Sequence, residues 1–137
     1  MTPVQIQLVQ DSWQRVLPHE DAVAQAFYSR LFELNPELGS LFRSDQQEQR
    51  RKFMQMISLT VEGLSQPELL VPMLHELGRR HVDLYRVVPH NYDSLGAALL
   101  WTLKQNLGDA FSDELRQAWS QTYQHMALAM QEGEWSR

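Results

Sequence analysis

Residues 67–85, PELLVPMLHELGRRHVDLY, decide how the rest of the chain is read. Leu70, Leu74, Leu77 and His81 recur at spacings of four, three and four, the period of an α-helix with one apolar face. Pro67 suits the first position of such a helix, where its missing N–H costs nothing. Pro72 lies inside it and is expected to bend or divide the helix. His81 is the unusual member, because it shares a face that is otherwise leucine. A buried imidazole must find a hydrogen-bond partner or a metal. Taken alone, His81 fits either a satisfied core histidine, the commoner case, or a ligand.

The same period extends in both directions. Thr2, Pro3 and Gln5 read as a helix start: Thr2 caps, Pro3 takes the first position, and Gln5 completes a capping box. Ile6, Val9, Trp13 and Val16 then form one face that ends near Pro18. Glu20 and Asp21 suit the amino end of a second helix, whose stripe is Val23, Phe27, Leu31 and Leu34. Asn35-Pro36 restarts a short helix through Leu38, Leu41 and Phe42. After a polar run, Phe53, Met56, Ile57, Thr60 and Leu64 mark a long helix that runs out between Gly63 and Gln66. Pro89 opens another, with Tyr92, Leu95, Leu99, Leu103 and Leu107 on one side until Gly108. Ser112, with Asp113 and Glu114, caps a final helix that turns Leu115, Trp119, Tyr123 and Met126 inward.

No strand alternation persists, so the fold class is all-α. About seven unequal helices on short loops, with no repeat period, suit a globin-like packing better than a regular four-helix bundle. The 137 residues are read as one domain, 1–137, large enough for a core and a modest cavity.

Cysteine is absent, which excludes disulfides and thiolate metal sites and makes a reducing cytoplasm the expected compartment. A metal must then be held by His, Asp, Glu, Tyr or Met. Seventeen acidic against twelve basic side chains give a net charge of −5, the wrong sign for gripping phosphate backbones or anionic lipid. Nucleic acid is not an expected partner. No apolar run approaches the length of a membrane span, and the amino terminus lacks a charged region followed by an apolar core, so neither membrane nor secretion is expected.

Leu77-Gly78-Arg79-Arg80-His81 with Tyr85, Asn35-Pro36 and Phe42 upstream, and the Gln49-x-x-Lys52-Phe53 helix start between them resemble the globin family over nearly the whole chain. The likeness is to the bacterial single-domain haemoglobins related to flavohaemoglobins and neuroglobin. It implies a globin fold around haem b, iron protoporphyrin IX, with His81 as proximal ligand to iron. Phe42 matches the phenylalanine stacked on the porphyrin. Tyr28, fourteen residues earlier, matches the second-helix tyrosine, and Gln49 takes the distal position usually held by histidine.

The resemblance gives other residues expected roles. Phe53, one turn after Gln49, shares its face and crowds the distal cavity, where many relatives have a smaller aliphatic residue. Leu77 presses on the proximal face, Leu95 and Leu99 line its floor, and Tyr92 joins the haem contacts. Lys52 and Arg80 are the cations placed for the propionates. Tyr92 and Glu134 match, less regularly, the pair that holds the proximal imidazole in flavohaemoglobins and gives it anionic character. His19, His75, His90 and His125 read as surface or rim residues. Each of these positions also has an ordinary structural reading: core packing for the leucines and aromatics, solvated charge for Lys52, Arg80 and Glu134.

In physical terms, dioxygen at haem iron carries partial negative charge, which a phenol O–H from Tyr28 and an amide N–H from Gln49 stabilise by about 1 kcal/mol or more each in a dry pocket. The expected function is therefore reversible dioxygen binding, with NO and CO as further ligands. Oxidation of NO to nitrate is a possible activity, in which an external reductase supplies electrons. A globin-fold sensor module and a peroxidase-like or nitrite-reducing haem enzyme are the alternatives. A monomer or weak homodimer is expected.

Overall fold

The computed structural model describes the backbone at residues 1–37, 46–80 and 91–135, and side chains at 1–37, 47, 50–76 and 93–130. These residues form six α-helices: α1 (Pro3–Val16), α2 (Glu20–Leu34), α3 (Gln46–Gly63), α4 (Pro67–Arg80), α5 (Asn91–Leu107) and α6 (Asp113–Trp135). Single 3₁₀ turns at Leu17–His19 and Gly108–Ala110 join α1 to α2 and α5 to α6. The expected short helix through Leu38, Leu41 and Phe42 lies outside the described residues, as do His81 and His90. No strand occurs among those described.

The helix ends follow the capping chemistry of the sequence. Thr2 Oγ1 accepts from the Gln5 N–H at 3.1 Å, while the Thr2 N–H donates to Gln5 Oε1 at 2.9 Å, closing the reciprocal box. Ser112 Oγ accepts from the Leu115 N–H at 3.2 Å at the start of α6. Gly108 ends α5 with φ of 58°, a left-handed conformation that glycine adopts without penalty.

Pro72 does not divide its helix: α4 is continuous from Pro67 to Arg80. The proline removes only the bond to the Glu68 carbonyl, and it sits on the exposed side, where water can satisfy that carbonyl.

α4 packs most extensively on α6, and α2 on α5, with α1 lying against α3, α5 and α6. The core between them includes Trp13, Phe27, Leu31, Ile57, Leu74, Leu103, Trp119 and Met130, all buried. Leu34, expected on the inward stripe of α2, is 42% exposed, so burial stops one turn before the helix does.

The buried side of α3 is turned from the one expected. Met54, Ile57, Thr60 and Val61 are buried, whereas Phe53, Met56 and Leu64 are only partly covered. The apolar stripe of α3 is wide, and at about 100° per residue the period alone does not say which edge meets the neighbouring helices. The outcome leaves a half-covered apolar flank carrying Phe53 and Met56, and Gln49 stands one turn before Phe53 in the same helix.

Candidate functional site

That flank of α3 meets α2 through aromatic rings. Phe27 and Tyr28 are consecutive on α2, so their side chains point in different directions: Phe27 enters the core, while Tyr28 is half-buried at its edge. The Phe53 ring stacks on Phe27 with centroids 4.0 Å apart and planes within 15°. Tyr28 meets Phe27 edge-on at 5.2 Å and Phe53 at 5.9 Å and 64°. Phe32, one turn further along α2, lies 5.9 Å from Tyr28. The structure thus brings together two of the residues expected on the ligand side, Tyr28 and Phe53. It adds a third, Phe27, that the periodicity marks only as core.

Gln49 is helical in α3, and its side chain lies outside the described residues. Lys52, also on α3, is exposed. Leu95 is half-buried against the core, and Leu99 beside it on α5 is buried. Leu77 and Arg80 occupy the last turn of α4, Tyr92 the first turn of α5 and Glu134 the last turn of α6, all with side chains outside the described residues. Phe42 and His81 also lie outside them. Of the remaining histidines, His19 and His125 are exposed and His75 is half-buried. Among the described residues no group of three His, Cys, Asp or Glu side chains is placed to hold a metal ion.

α5 and α6 meet at a second feature that the periodicity does not reveal. The Tyr123 ring lies against Gly96, so close that a Cβ there would sit 2.7 Å from a ring carbon. Burial, then the Asp93 carboxylate, pushes the Tyr123 phenol well above its usual range, and a backbone hydrogen bond from Gly96 offsets part of the rise. Tyr123 therefore stays neutral at any physiological pH.

The opposite face of α3 is chemically different. An open groove of about 790 Å³ runs there between α2 and α3, with Glu20, Asp21, Arg50, Arg51 and Glu62 around Ala24 and Met54. Its mixed charge suits water better than a large apolar ring, whereas the Phe53 flank is apolar and partly uncovered. No helix among the described residues is long and apolar enough to cross a membrane.

A family model described as Globin matches residues 25–130. The Flavohemoprotein of Rhizobium meliloti (strain 1021) is 35% identical over 112 residues, covering 80% of this chain and 28% of that protein. The Flavohemoprotein of Halalkalibacterium halodurans is 30% identical over 112 residues, covering 80% and 27%. That of Deinococcus radiodurans is 29% identical over 133 residues, covering 95% and 33%. The chain thus spans between a quarter and a third of the length of these relatives. Among solved structures, the crystal structure of a hexacoordinated heme protein from an anhydrobiotic tardigrade superposes with a TM-score of 0.89, over 99% of this chain and 96% of that one. At 16% identity this likeness concerns the fold.

Proposed function

Because the chain belongs to the globin family, we propose that it would hold haem b through His81 and, with the group bound, would take up dioxygen reversibly. NO and CO are further ligands of the same site. The described residues fit such a group in one respect that carries the reading: Tyr28 and Phe53 converge on an apolar flank left half-covered, while the opposite face of the same helix is charged. A half-covered aromatic surface of this kind is what a large flat apolar ligand stabilises by covering it.

Haem, when bound, supplies an iron centre at which a diatomic ligand coordinates reversibly. The chain's residues then divide the remaining work. Tyr28 offers a phenol O–H and Gln49 an amide N–H to the negative charge on dioxygen, which slows its escape. Phe42 would cover the porphyrin face, and Phe53 would narrow the distal space and, with Leu77, Leu95 and Leu99, would keep water out. Lys52 and Arg80 would offer cations to the propionates, and Tyr92 with Glu134 would hold the proximal imidazole by accepting a hydrogen bond from its free N–H. The compartment is the cytoplasm.

The likeness to flavohemoproteins favours a further activity at this site, conversion of NO to nitrate. The balance is NO + O₂ + e⁻ → NO₃⁻, so each turnover needs one electron from a reductase.

Reconstitution with haem tests the reading. A Soret band that shifts on reduction and on adding CO is expected in the wild type, and the band of His81→Ala should be displaced or lost. A band identical in His81→Ala, or none in the wild type, overturns it.

A further inference from the structure

The stack between Phe27 and Phe53 has a consequence for which ligands the site accepts. A phenylalanine at the rim of a helix ordinarily changes rotamer on the picosecond to nanosecond scale and yields to an incoming group. Phe53 is held differently. One face of its ring lies on Phe27 at 4.0 Å and 15°, and Tyr28 meets it at 64°. Phe27 is itself 1% exposed and set among core side chains, so it cannot move aside without opening the core. Tyr28 rests edge-on against the same Phe27 ring at 5.2 Å, which ties all three rings to one anchor.

We infer that Phe27 is a positioning residue for ligand selection: by stacking on Phe53 it fixes a wall beside Tyr28 that admits diatomic ligands and turns away branched ones. The inference rests on the ligand-side reading of Tyr28 and Phe53 given above. Phe27 does not touch the ligand. It acts by removing the rotamer through which Phe53 would otherwise yield, so its effect appears as a change in size preference. Leucine at position 27 fills part of the volume but offers no flat face, and Phe53 regains its freedom.

The test is a ligand series on the haem-reconstituted protein, comparing CO with methyl, n-butyl and tert-butyl isocyanide by Soret titration in wild type, Phe27→Leu, Phe53→Leu and the double variant. Wild type is expected to bind tert-butyl isocyanide poorly relative to CO. Phe27→Leu and Phe53→Leu should each improve that ratio by about tenfold or more, and in Phe27→Leu CO affinity should stay within about threefold. The double variant should gain little beyond either single one, because both remove the same wall. Phe27→Met, which keeps more of the volume without a ring, serves as the second variant should leucine cost the fold. NMR of the Phe53 ring in the haem-free protein gives an independent reading: ring flips should be slower in wild type than in either position-27 variant. Unchanged ligand ratios and flip rates in both, with a normal CO-induced Soret shift, overturn the inference alone. Absence of that shift in the wild type overturns it together with the reading of the site.

Discussion

The Trp119 indole N–H donates to the Ser12 hydroxyl at 2.8 Å, and the Ser12 O–H in turn donates to the Val9 carbonyl at 2.8 Å. This bond joins α6 to α1 across 107 residues of sequence inside the core. Trp13 leans against Trp119 with centroids 5.7 Å apart and donates its indole N–H to Ser58 at 2.9 Å on α3. Two tryptophans and two serines thus tie three helices together, and each buried indole has the acceptor it needs.

Ser12→Ala should therefore cost more than a lost hydroxyl suggests. It leaves the Trp119 N–H buried without an acceptor, a penalty of about 1–3 kcal/mol. Urea unfolding followed by tryptophan fluorescence should show a lower midpoint at an unchanged slope. Adding Trp119→Phe should cost less in the Ser12→Ala background than alone, because the orphaned donor goes with it. Additive losses would show that the bond contributes nothing beyond packing.

At Gly96, helix propensity and packing oppose each other. Alanine in a helix interior is better than glycine by about 1 kcal/mol. Here the new Cβ meets two carbons of the Tyr123 ring at 2.7 and 2.9 Å, and a ring carbon cannot swing away as a flexible chain end can. Forcing α5 from α6 costs about 1–3 kcal/mol, so Gly96→Ala should be destabilising overall. In a Tyr123→Leu background the clash is relieved and the same substitution should become neutral or stabilising. Thermal melts of the four proteins decide between these.

Tyr123 also sets a pH dependence. Its phenol titrates higher in the folded chain than its ordinary value of 10.0, so the folded state keeps a proton that the unfolded state releases. Below that value both states are protonated and stability is unaffected. Above it, the unfolded state gains, and stability should fall by up to about 1.4 kcal/mol per pH unit. Unfolding free energies measured from pH 8 to 11 should bend downward near pH 10 in wild type and lose that component in Tyr123→Phe. An equal bend in both would assign it to other groups.

Much of the fold is legible in the sequence because helix ends are written locally. The Thr2–Gln5 box, the Ser112 cap and the Gly108 stop each depend on residues within one turn, and all three form. Pro72 misleads because a missing N–H halts a helix only where the freed carbonyl cannot be satisfied, which depends on exposure. The orientation of α3 is hidden for a related reason: Phe53, Met54, Met56 and Ile57 are all apolar, and only the neighbours decide which of them are covered. Tyr28 is singled out in the sequence only by a motif that spans helices. Phe27 is legible only as a core residue, because its stack on Phe53 arises from how α2 crosses α3, and neither helix states that in its own period. The same holds for Tyr123 and Gly96.

Gly108 offers a cleaner backbone test. Its φ of 58° is left-handed, and a Cβ there meets nothing within 4 Å, so packing plays no part. Gly108→Ala should cost about 1 kcal/mol from backbone strain alone, and Gly108→Asn less, since asparagine tolerates this conformation. Equal melting temperatures for glycine and alanine would show that the turn relaxes.

The ligand-side residues make the sharpest functional prediction. On the proposed reading, Tyr28 and Gln49 each donate a hydrogen bond to dioxygen, whereas CO, which carries little charge, gains almost nothing from them. Losing one bond of about 1 kcal/mol should speed dioxygen release about fivefold. Tyr28→Phe keeps the ring and its contacts with Phe27, Phe32 and Phe53, so the wall stays and only the donor is removed. Stopped-flow dissociation of dioxygen and of CO should therefore separate in Tyr28→Phe and in Gln49→Leu, the first rate rising and the second holding. If both rates rise together, the substitution has loosened the pocket and the donor role is wrong. If neither changes in either variant, Tyr28 and Gln49 do not reach the ligand, and another residue holds it.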